Sequence, residues 1–383
     1  MPSERAVDAV SRIRFPLLAL GLAALAAGVW AGLLRFGWSL PDGRANLIEL
    51  HGPLMVFGFL GTVISLERAV ALRRRWGYLA PGGTLLGAGL LLGGVRQGIG
   101  ELVLLLAGCV LAGLFVVILR THATASAATL FLGTLLWVAG DALWLGGVPL
   151  VQVVPWWAGF LVLTIVGERL ELAALGRLTR AGRTSFAVLT LVLLAGLALS
   201  AADAGAGIRL AGAALAGYAL WLGRFDIARR TVRRAGLPRF VALALLPGYI
   251  WLGVGGVLWL RYGAAVAGPA HDAELHTIFL GFVFSMIFGH APVIFPGVLG
   301  IAIPFHRAFY AHLALLHAGL VLRIAGDLGG DFQLAQRGGL LNATAIALFL
   351  LATVASAVLQ QTRRRRLATA SARATRHTAE AGR

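Results

Sequence analysis

Residues 58–68 of this chain read GFLGTVISLER, and residues 159–169 and 281–290 read GFLVLTIVGER and GFVFSMIFGH. Nine positions after the glycine of each Gly-Phe pair stands an ionisable residue, namely Glu67, Glu168 and His290. All three stretches are apolar enough to cross a bilayer, where ionisable side chains are costly and usually functional. The repeated phrase therefore predicts three related membrane helices that carry polar residues at one depth.

The composition of the 383-residue chain indicates an all-α integral membrane protein. Hydrophobic residues make up 59% of the chain and charged residues 13%, far less charge than a soluble surface needs. Apolar runs of about twenty residues, the length of a membrane-spanning helix, recur along the whole sequence. The basic and then apolar start predicts an uncleaved first helix. The single cysteine, Cys109, excludes an internal disulfide.

The apolar runs predict about twelve transmembrane helices. Their expected bounds are residues 15–37, 47–72, 77–94, 101–120, 125–146, 149–175, 184–202, 206–223, 240–265, 270–297, 305–327 and 338–361. The repeated phrase falls in the second, sixth and tenth helices, so we expect three pseudo-repeats of four helices, at about 15–120, 125–223 and 240–361. One polytopic membrane domain would then cover 1–361, followed by a basic, disordered tail over 362–383.

The arginines predict how these helices are oriented. All 33 basic residues are arginine, and 24 lie on the side that holds both termini, against six on the opposite side. Because basic residues concentrate in cytoplasmic loops, we expect both termini in the cytoplasm, as in a bacterial-type inner membrane. The same arginines can contact anionic lipids. They are spread over several loops and not over one docking face, which argues against nucleic-acid binding.

Two histidines stand at similar depths in helices that run from outside to inside. His51 and His276 both lie near the starts of their helices, in the outer third of the membrane. Two imidazoles at one depth on two helices are a common way to hold a haem iron. Each ring then needs a partner, such as a backbone carbonyl, for its second nitrogen. The alternative interpretation is a pair of helix-start histidines bonded to water or to loop carbonyls.

A second polar set is expected nearer the cytoplasmic side. Four ionisable residues share this depth: Glu67, Glu168, His290 and His312. A mixed set of imidazoles and carboxylates suits a second metal, such as copper or iron, or a proton relay. A structural interpretation is that Arg68 and Arg169 pair with acids of neighbouring helices. His51 precedes Glu67 by about 160° of ideal helix, so the two share a face only if the second helix is kinked or unwound.

Two motifs resemble those of a known family. Residues 51–59, HGPLMVFGF, look like helix 2 of haem–copper oxidase subunit I. They look still more like the related twelve-helix NnrS family, whose second helix carries His-x-x-x-Met-x-Phe-Gly-Phe. Residues 276–286 resemble a His-x-x-x-x-Gly-x-x-x-x-Met stretch found late in NnrS proteins. The oxidases also place twelve helices in three arcs of four, with helices 2, 6 and 10 in equivalent positions.

The resemblance implies a haem b whose axial ligands are His51 and His276, with Met55 beside it. Arg323 would face the haem propionates, or alternatively form an i,i+4 pair with Asp327. Four aromatic residues are candidate walls of such a pocket: Phe57, Phe59, Phe279 and Phe282. The implied role is redox chemistry or the handling of nitric oxide and nitrosative stress, with a quinone or an electron-transfer protein as partner. The sixth and seventh helices lack the copper-binding histidines of an oxidase, which argues against oxygen reduction.

Two other classes of function stay open. One is a proton-coupled secondary transporter that uses Glu67, Glu168 and His290, because repeats and intramembrane acids are common in transporters. The repeats here run in the same direction, whereas many transporters have inverted repeats. The other class is a membrane scaffold without a cofactor, in which the buried polar groups pair with one another.

Overall fold

The computed structural model describes residues 4–41, 47–95, 98–176 and 178–381, and these residues form helices and turns without a strand. Twelve long helices, numbered α1 to α12, run in chain order over Glu4–Arg35, His51–Leu72, Leu79–Leu92, Ile99–Thr121, Ala125–Leu145, Leu150–Leu175, Arg180–Ser200, Ala204–Phe225, Leu237–Tyr262, Gly268–Leu299, Phe309–Gly329 and Phe332–Ala381. Two single turns, Arg75–Tyr78 and Ala228–Thr231, precede α3 and α9. The prediction of an all-α polytopic membrane protein is confirmed.

Eleven of the helices within the described residues are long and apolar enough to cross a membrane. The exception is the predicted span at 77–94, where α3 has only 14 residues. At 1.5 Å per residue it is about 21 Å long, less than the ~30 Å of a hydrocarbon core. The sequence predicts about twelve spans, and eleven described helices meet this criterion. The remaining one, α3, packs between α2 and α4.

Helix α12 continues without a break as far as Ala381, past the predicted domain boundary at residue 361. This segment, RRRRLATASARATRHTAEA, is rich in alanine and arginine, which have high helix propensities. The disordered tail over 362–383 stays a prediction.

Helices α2, α6 and α10, which carry the repeated phrase, meet one another inside the bundle. Phe57 of α2 packs on Trp157 of α6, with ring centres 4.8 Å apart. Phe59 of α2 packs on Phe284 of α10 at 6.1 Å. Helices adjacent in sequence contact each other around these three, and α1 also touches α12. The repeat therefore marks helices that pack together, although the three-arc arrangement of the oxidases stays a prediction.

Two of the marked helices contain a π-helical segment at equivalent places. In α2 it covers Leu54–Gly61, three residues after His51, and in α10 it covers Thr277–Phe284, directly after His276. A π-helix closes i→i+5 hydrogen bonds, so it holds more residues per turn and turns the following residues to a new face. His51 and Glu67 can share one face of α2 only if that helix is kinked or unwound, and the π-helical segment between them unwinds it. Helix α10 has the equivalent segment between His276 and His290.

Candidate functional site

His51 is seated against α1 by two glycines. Its Nδ1 lies 2.7 Å from the carbonyl oxygen of Gly28. A carbonyl only accepts hydrogen bonds, so Nδ1 carries the proton and Nε2 keeps its lone pair. The ring occupies space that a side chain at Gly32 would fill, since a Cβ there would lie 2.9 Å from the ring carbon Cε1. The small residues of α1 therefore fix both the tautomer and the position of this imidazole.

His276 is held in the same manner by its own helix. Its Nδ1 is 2.9 Å from the backbone oxygen of Asp272 and 3.2 Å from the carboxylate oxygen Oδ1 of that residue. Its Nε2 accepts a hydrogen bond from the Nη2 of Arg323 at 3.2 Å. Both histidines thus direct Nδ1 to a carbonyl and leave Nε2 as the acceptor.

The two imidazoles face a common cavity. Their ring centres are 6.2 Å apart and their planes differ by 28°. Both line a cavity of about 950 Å³ between α2, α10 and the ends of neighbouring helices. Met55 lines it as well, and its sulfur occupies the space beside Gly28. The structure therefore brings together the two histidines and the methionine that the sequence singled out.

Arg323 also lies at this cavity, but its partner differs from the predicted one. Its Nε and Nη2 donate to the two carboxylate oxygens of Asp272 at 2.7 and 2.8 Å. Its guanidinium lies 4.3 Å above the ring of Phe36. The i,i+4 alternative with Asp327 is wrong, because the bidentate geometry of Asp272 fits the planar guanidinium better. Among the described residues, Oδ2 of Asp327 has no hydrogen-bond partner.

The walls of the cavity are mostly different from the predicted ones. Of the four candidate phenylalanines only Phe279 lines it. The other aromatic walls come from helices throughout the chain, and they are Phe36, Trp144, Trp157, Phe284 and Phe332. Sequence reasoning also missed the polar rim that accompanies Arg323, formed by Arg35, Glu49, His271 and Asp272. The spacing of Asp272 and His276, four residues apart in one helix, was the signal that could have identified the aspartate.

An apolar layer separates this cavity from the polar residues deeper in the bundle. Phe57, Phe59 and Phe284 are each at most 1% exposed. Beside them, Asp141 of α5 is fully buried and accepts hydrogen bonds from the indole nitrogens of Trp137 and Trp157 at 2.8 and 3.0 Å. Since Trp157 lines the cavity and Phe57 packs on it, the Asp141 bond fixes part of the cavity wall. The sequence analysis did not predict this aspartate.

Beyond the apolar layer, Arg68 joins two of the predicted acids. Its Nη2 forms a hydrogen-bonded ion pair with Glu168 of α6 and lies 3.5 Å from Glu67 of its own helix. Glu171, one turn further along α6, accepts a 3.4 Å hydrogen bond from Ser126. The first two glutamates therefore meet as predicted, through an arginine.

A second arginine reaches the predicted histidine of α10. Arg169 donates from Nε to Asp226 at 2.8 Å, and its Nη1 lies 3.0 Å from Nε2 of His290. The Nδ1 of His290 donates to the backbone oxygen of Met286 at 2.8 Å. Both ring nitrogens are therefore in use, and the imidazole is neutral when Nε2 accepts. We call these six side chains the inner network: Glu67, Arg68, Glu168, Arg169, Asp226 and His290.

His312 matches the depth of the inner network but points into an aromatic environment. Its nearest rings are Phe288 at 4.8 Å, Phe349 at 5.5 Å and Phe309 at 5.6 Å. Neither ring nitrogen has a hydrogen-bond partner among the described residues. In the same part of the chain no cluster of three or more His, Cys, Asp or Glu side chains is arranged to hold a metal ion. The observed contacts are those of the ion-pair interpretation, and the second metal stays a prediction.

Comparison with known proteins places the whole bundle in one family. No curated protein and no solved structure matches the chain. The family model described as a domain of unknown function (DUF8744) matches residues 14–358, about nine-tenths of the sequence. The matched region covers His51, His276 and the inner network. The chain therefore belongs to the DUF8744 family.

Proposed function

We propose that this membrane protein holds a haem b between His51 and His276 and takes part in electron transfer. One observation carries the proposal: two imidazoles on different helices face one cavity, each with Nδ1 bonded to a backbone carbonyl. That bond orients a metal-binding histidine and keeps the lone pair on Nε2, the atom that coordinates. The motifs that resemble NnrS proteins include the same two histidines.

The distance between the rings would allow both histidines to hold one haem iron through Nε2. Their ring centres are 6.2 Å apart. A cavity of about 950 Å³ lies against both rings and is lined by aromatic and aliphatic side chains. Such walls exclude water and suit the apolar face of a macrocycle.

Two arginines at the cavity supply positive charge for the propionate groups of a haem. Arg35 and Arg323 both line it. Arg323 donates to Nε2 of His276 and to both carboxylate oxygens of Asp272, and a haem held by His276 would take the place of the bond to Nε2. Asp272 then holds Arg323 on one side and, through its backbone oxygen, Nδ1 of His276 on the other.

A haem with two histidine ligands supplies one-electron transfer, because its iron has no open position for a substrate. This favours an electron carrier, with a quinone or an electron-transfer protein as its partner, over direct reduction of a gas. The resemblance to NnrS proteins suggests nitric oxide or nitrosative stress as the setting. By the excess of arginines we place both termini in the cytoplasm of a bacterial-type cell, with the haem near the outer face.

A reduced-minus-oxidised absorption spectrum of the purified chain tests the proposal. We expect a b-type haem band that is lost in His51→Ala and in His276→Ala. His317→Gln is the matched control, because His317 is an intramembrane histidine outside the cavity and accepts a hydrogen bond from Trp251. Each variant must elute as a folded, monodisperse species in detergent. A folded wild-type protein that neither contains nor takes up haem would overturn the proposal and leave the transporter or the scaffold.

The proton-coupled transporter is the second candidate, and the inner network is the observation that favours it. Intramembrane acids that pair with arginines of α2 and α6, next to His290 of α10, are an arrangement that can couple proton binding to helix movement. Transport would show as proton uptake into vesicles that depends on a second solute and is abolished by His290→Ala. The haem proposal expects no such coupled uptake.

A further inference from the structure

The Glu-Arg pairs of α2 and α6 form contacts that pass from one repeat to the next. We call Glu67, Glu168 and His290, each nine positions after the glycine of a Gly-Phe pair, the marked residues. Arg68 of α2 binds Glu168, the marked residue of α6. Arg169 of α6 contacts His290, the marked residue of α10. In both contacts the arginine that directly follows one marked residue binds the marked residue of the next repeat. The register of the repeated phrase thus builds an ordered series of contacts.

This series does not close on itself. The residue that follows His290 is Ala291, where the other two repeats have arginine. Among the described residues, the arginine within reach of Glu67 is Arg68 of its own helix, at 3.5 Å. That guanidinium is already engaged with Glu168. Glu67 is therefore the marked residue that receives no arginine from a preceding repeat.

A count of charges in the inner network singles out the same residue. Its three carboxyl groups belong to Glu67, Glu168 and Asp226. Its two guanidinium groups belong to Arg68 and Arg169, and the bonds of His290 are those of a neutral ring. With all carboxyl groups ionised the network carries one surplus negative charge. A net charge inside a membrane protein is costly, and a proton on one carboxylate removes it.

We propose that Glu67 is a proton-binding site that holds one proton and exchanges it with the arginine-rich side of the membrane. Asp226 has a fully buried side chain bonded to Arg169, and Glu168 forms the hydrogen-bonded ion pair with Arg68. Glu67 has no such bond, since its nearest guanidinium nitrogen is Nη2 of Arg68 at 3.5 Å, and like Glu168 its side chain is only partly buried. The charged or titratable groups that act on it are Arg68, Glu168 and His290. The site lies outside the haem cavity and does not depend on haem.

Isosteric neutral variants test which carboxyl group carries the proton. Glu67→Gln replaces a neutral acid by a neutral amide, so the melting temperature of the full chain in detergent should change by less than about 2 °C. Glu168→Gln removes the carboxylate that pairs with Arg68, and Glu67 can replace it only by giving up its proton, so this variant should lower the melting temperature more than Glu67→Gln does. Equal losses in the two variants would show that Glu67 is ionised and would overturn the proposal.

Infrared spectroscopy of the full chain in nanodiscs gives a second readout that does not depend on stability. The difference between spectra at acid and alkaline pH should contain a carbonyl stretch of a carboxylic acid that shifts in D₂O. The band should be lost in Glu67→Gln and kept in Glu171→Gln, a matched glutamate of α6. A band that persists in Glu67→Gln would assign the proton to another group and contradict the proposal.

A metal cation could in principle neutralise the network instead of a proton. Titration with sodium chloride against choline chloride at constant ionic strength separates the two ligands. We expect neither the melting temperature nor the carbonyl band to depend on sodium. A band that sodium abolishes, with a parallel rise in melting temperature, would overturn the proton assignment. In all these experiments Glu67→Gln should keep the haem content of the wild type, so failure of this proposal is distinguishable from failure of the haem proposal.

Discussion

The outer and inner halves of α2 and α10 use their polar residues in opposite ways. In the outer half, His51 and His276 bind backbone carbonyls through Nδ1 and turn toward a cavity. In the inner half, the side chains bind one another, as Arg169 does with Asp226 and His290. Depth alone therefore does not distinguish a ligand site from an ion-pair network. At the first site the polar side chains line a cavity, and at the second they are bonded mainly to one another.

The largest expected effect is at the inner half. Arg169→Met removes one partner of a buried ion pair and leaves Asp226 unpaired, which costs about 3–5 kcal/mol of unfolding free energy. Chemical unfolding in detergent measures this loss, with Arg120→Met as a control at an exposed helix end. The haem spectrum of the folded fraction should stay unchanged. If Arg169→Met is as stable as Arg120→Met, the inner network is not a structural unit.

A smaller effect is expected from the residue that supports the outer half. Asp272→Asn keeps the backbone carbonyl at His276 but weakens the bidentate hold on Arg323. Loss of such a supporting partner typically lowers metal affinity 10–100-fold. Haem titration of the apoprotein measures the change, with Asp203→Asn as a control, since asparagine also caps the start of α8. An unchanged haem affinity would mean that Asp272 and Arg323 have no part in the site.

The smallest effect is expected from the glycine that makes room for His51. Gly32→Ala places a Cβ 2.9 Å from the ring carbon Cε1, and an overpacked contact of this kind costs about 1 kcal/mol. Haem affinity should fall about fivefold, as followed by the rate of haem loss to an acceptor protein. Gly89→Ala is the matched control, because a Cβ there meets nothing within 4 Å. Equal behaviour of the two variants would separate His51 from haem binding.

Much of the fold and part of the site followed from the sequence. Apolar runs located eleven of the spans, because the length of a membrane helix is set by the thickness of the bilayer. The exception is α3, where a hydrophobic run of glycine and leucine forms a helix of only 14 residues. The sequence predicts His51 and His276 at one depth, and their rings lie close together. Two side chains at one depth meet when their helices turn the correct faces toward each other.

The errors at the site arise because the sequence predicts how deep a residue lies along its helix but not which way its side chain points. His312 lies at the expected depth, but its face of α11 is packed among phenylalanines. Arg323 lies at the cavity of His51 and His276, yet its partner is Asp272 of α10, which no local spacing in α11 could reveal. The π-helical segments of α2 and α10 change the faces of the residues after them, and their sequences carry no simple signal of that change.

Magnetic circular dichroism of the oxidised protein in the near infrared tests the central claim most directly, because it reports which side chains coordinate a low-spin haem iron. We expect the signature of two histidine ligands in the wild-type protein and its loss in both His51→Ala and His276→Ala. A spectrum that shows one histidine or none, in a folded protein with full haem content, would contradict it.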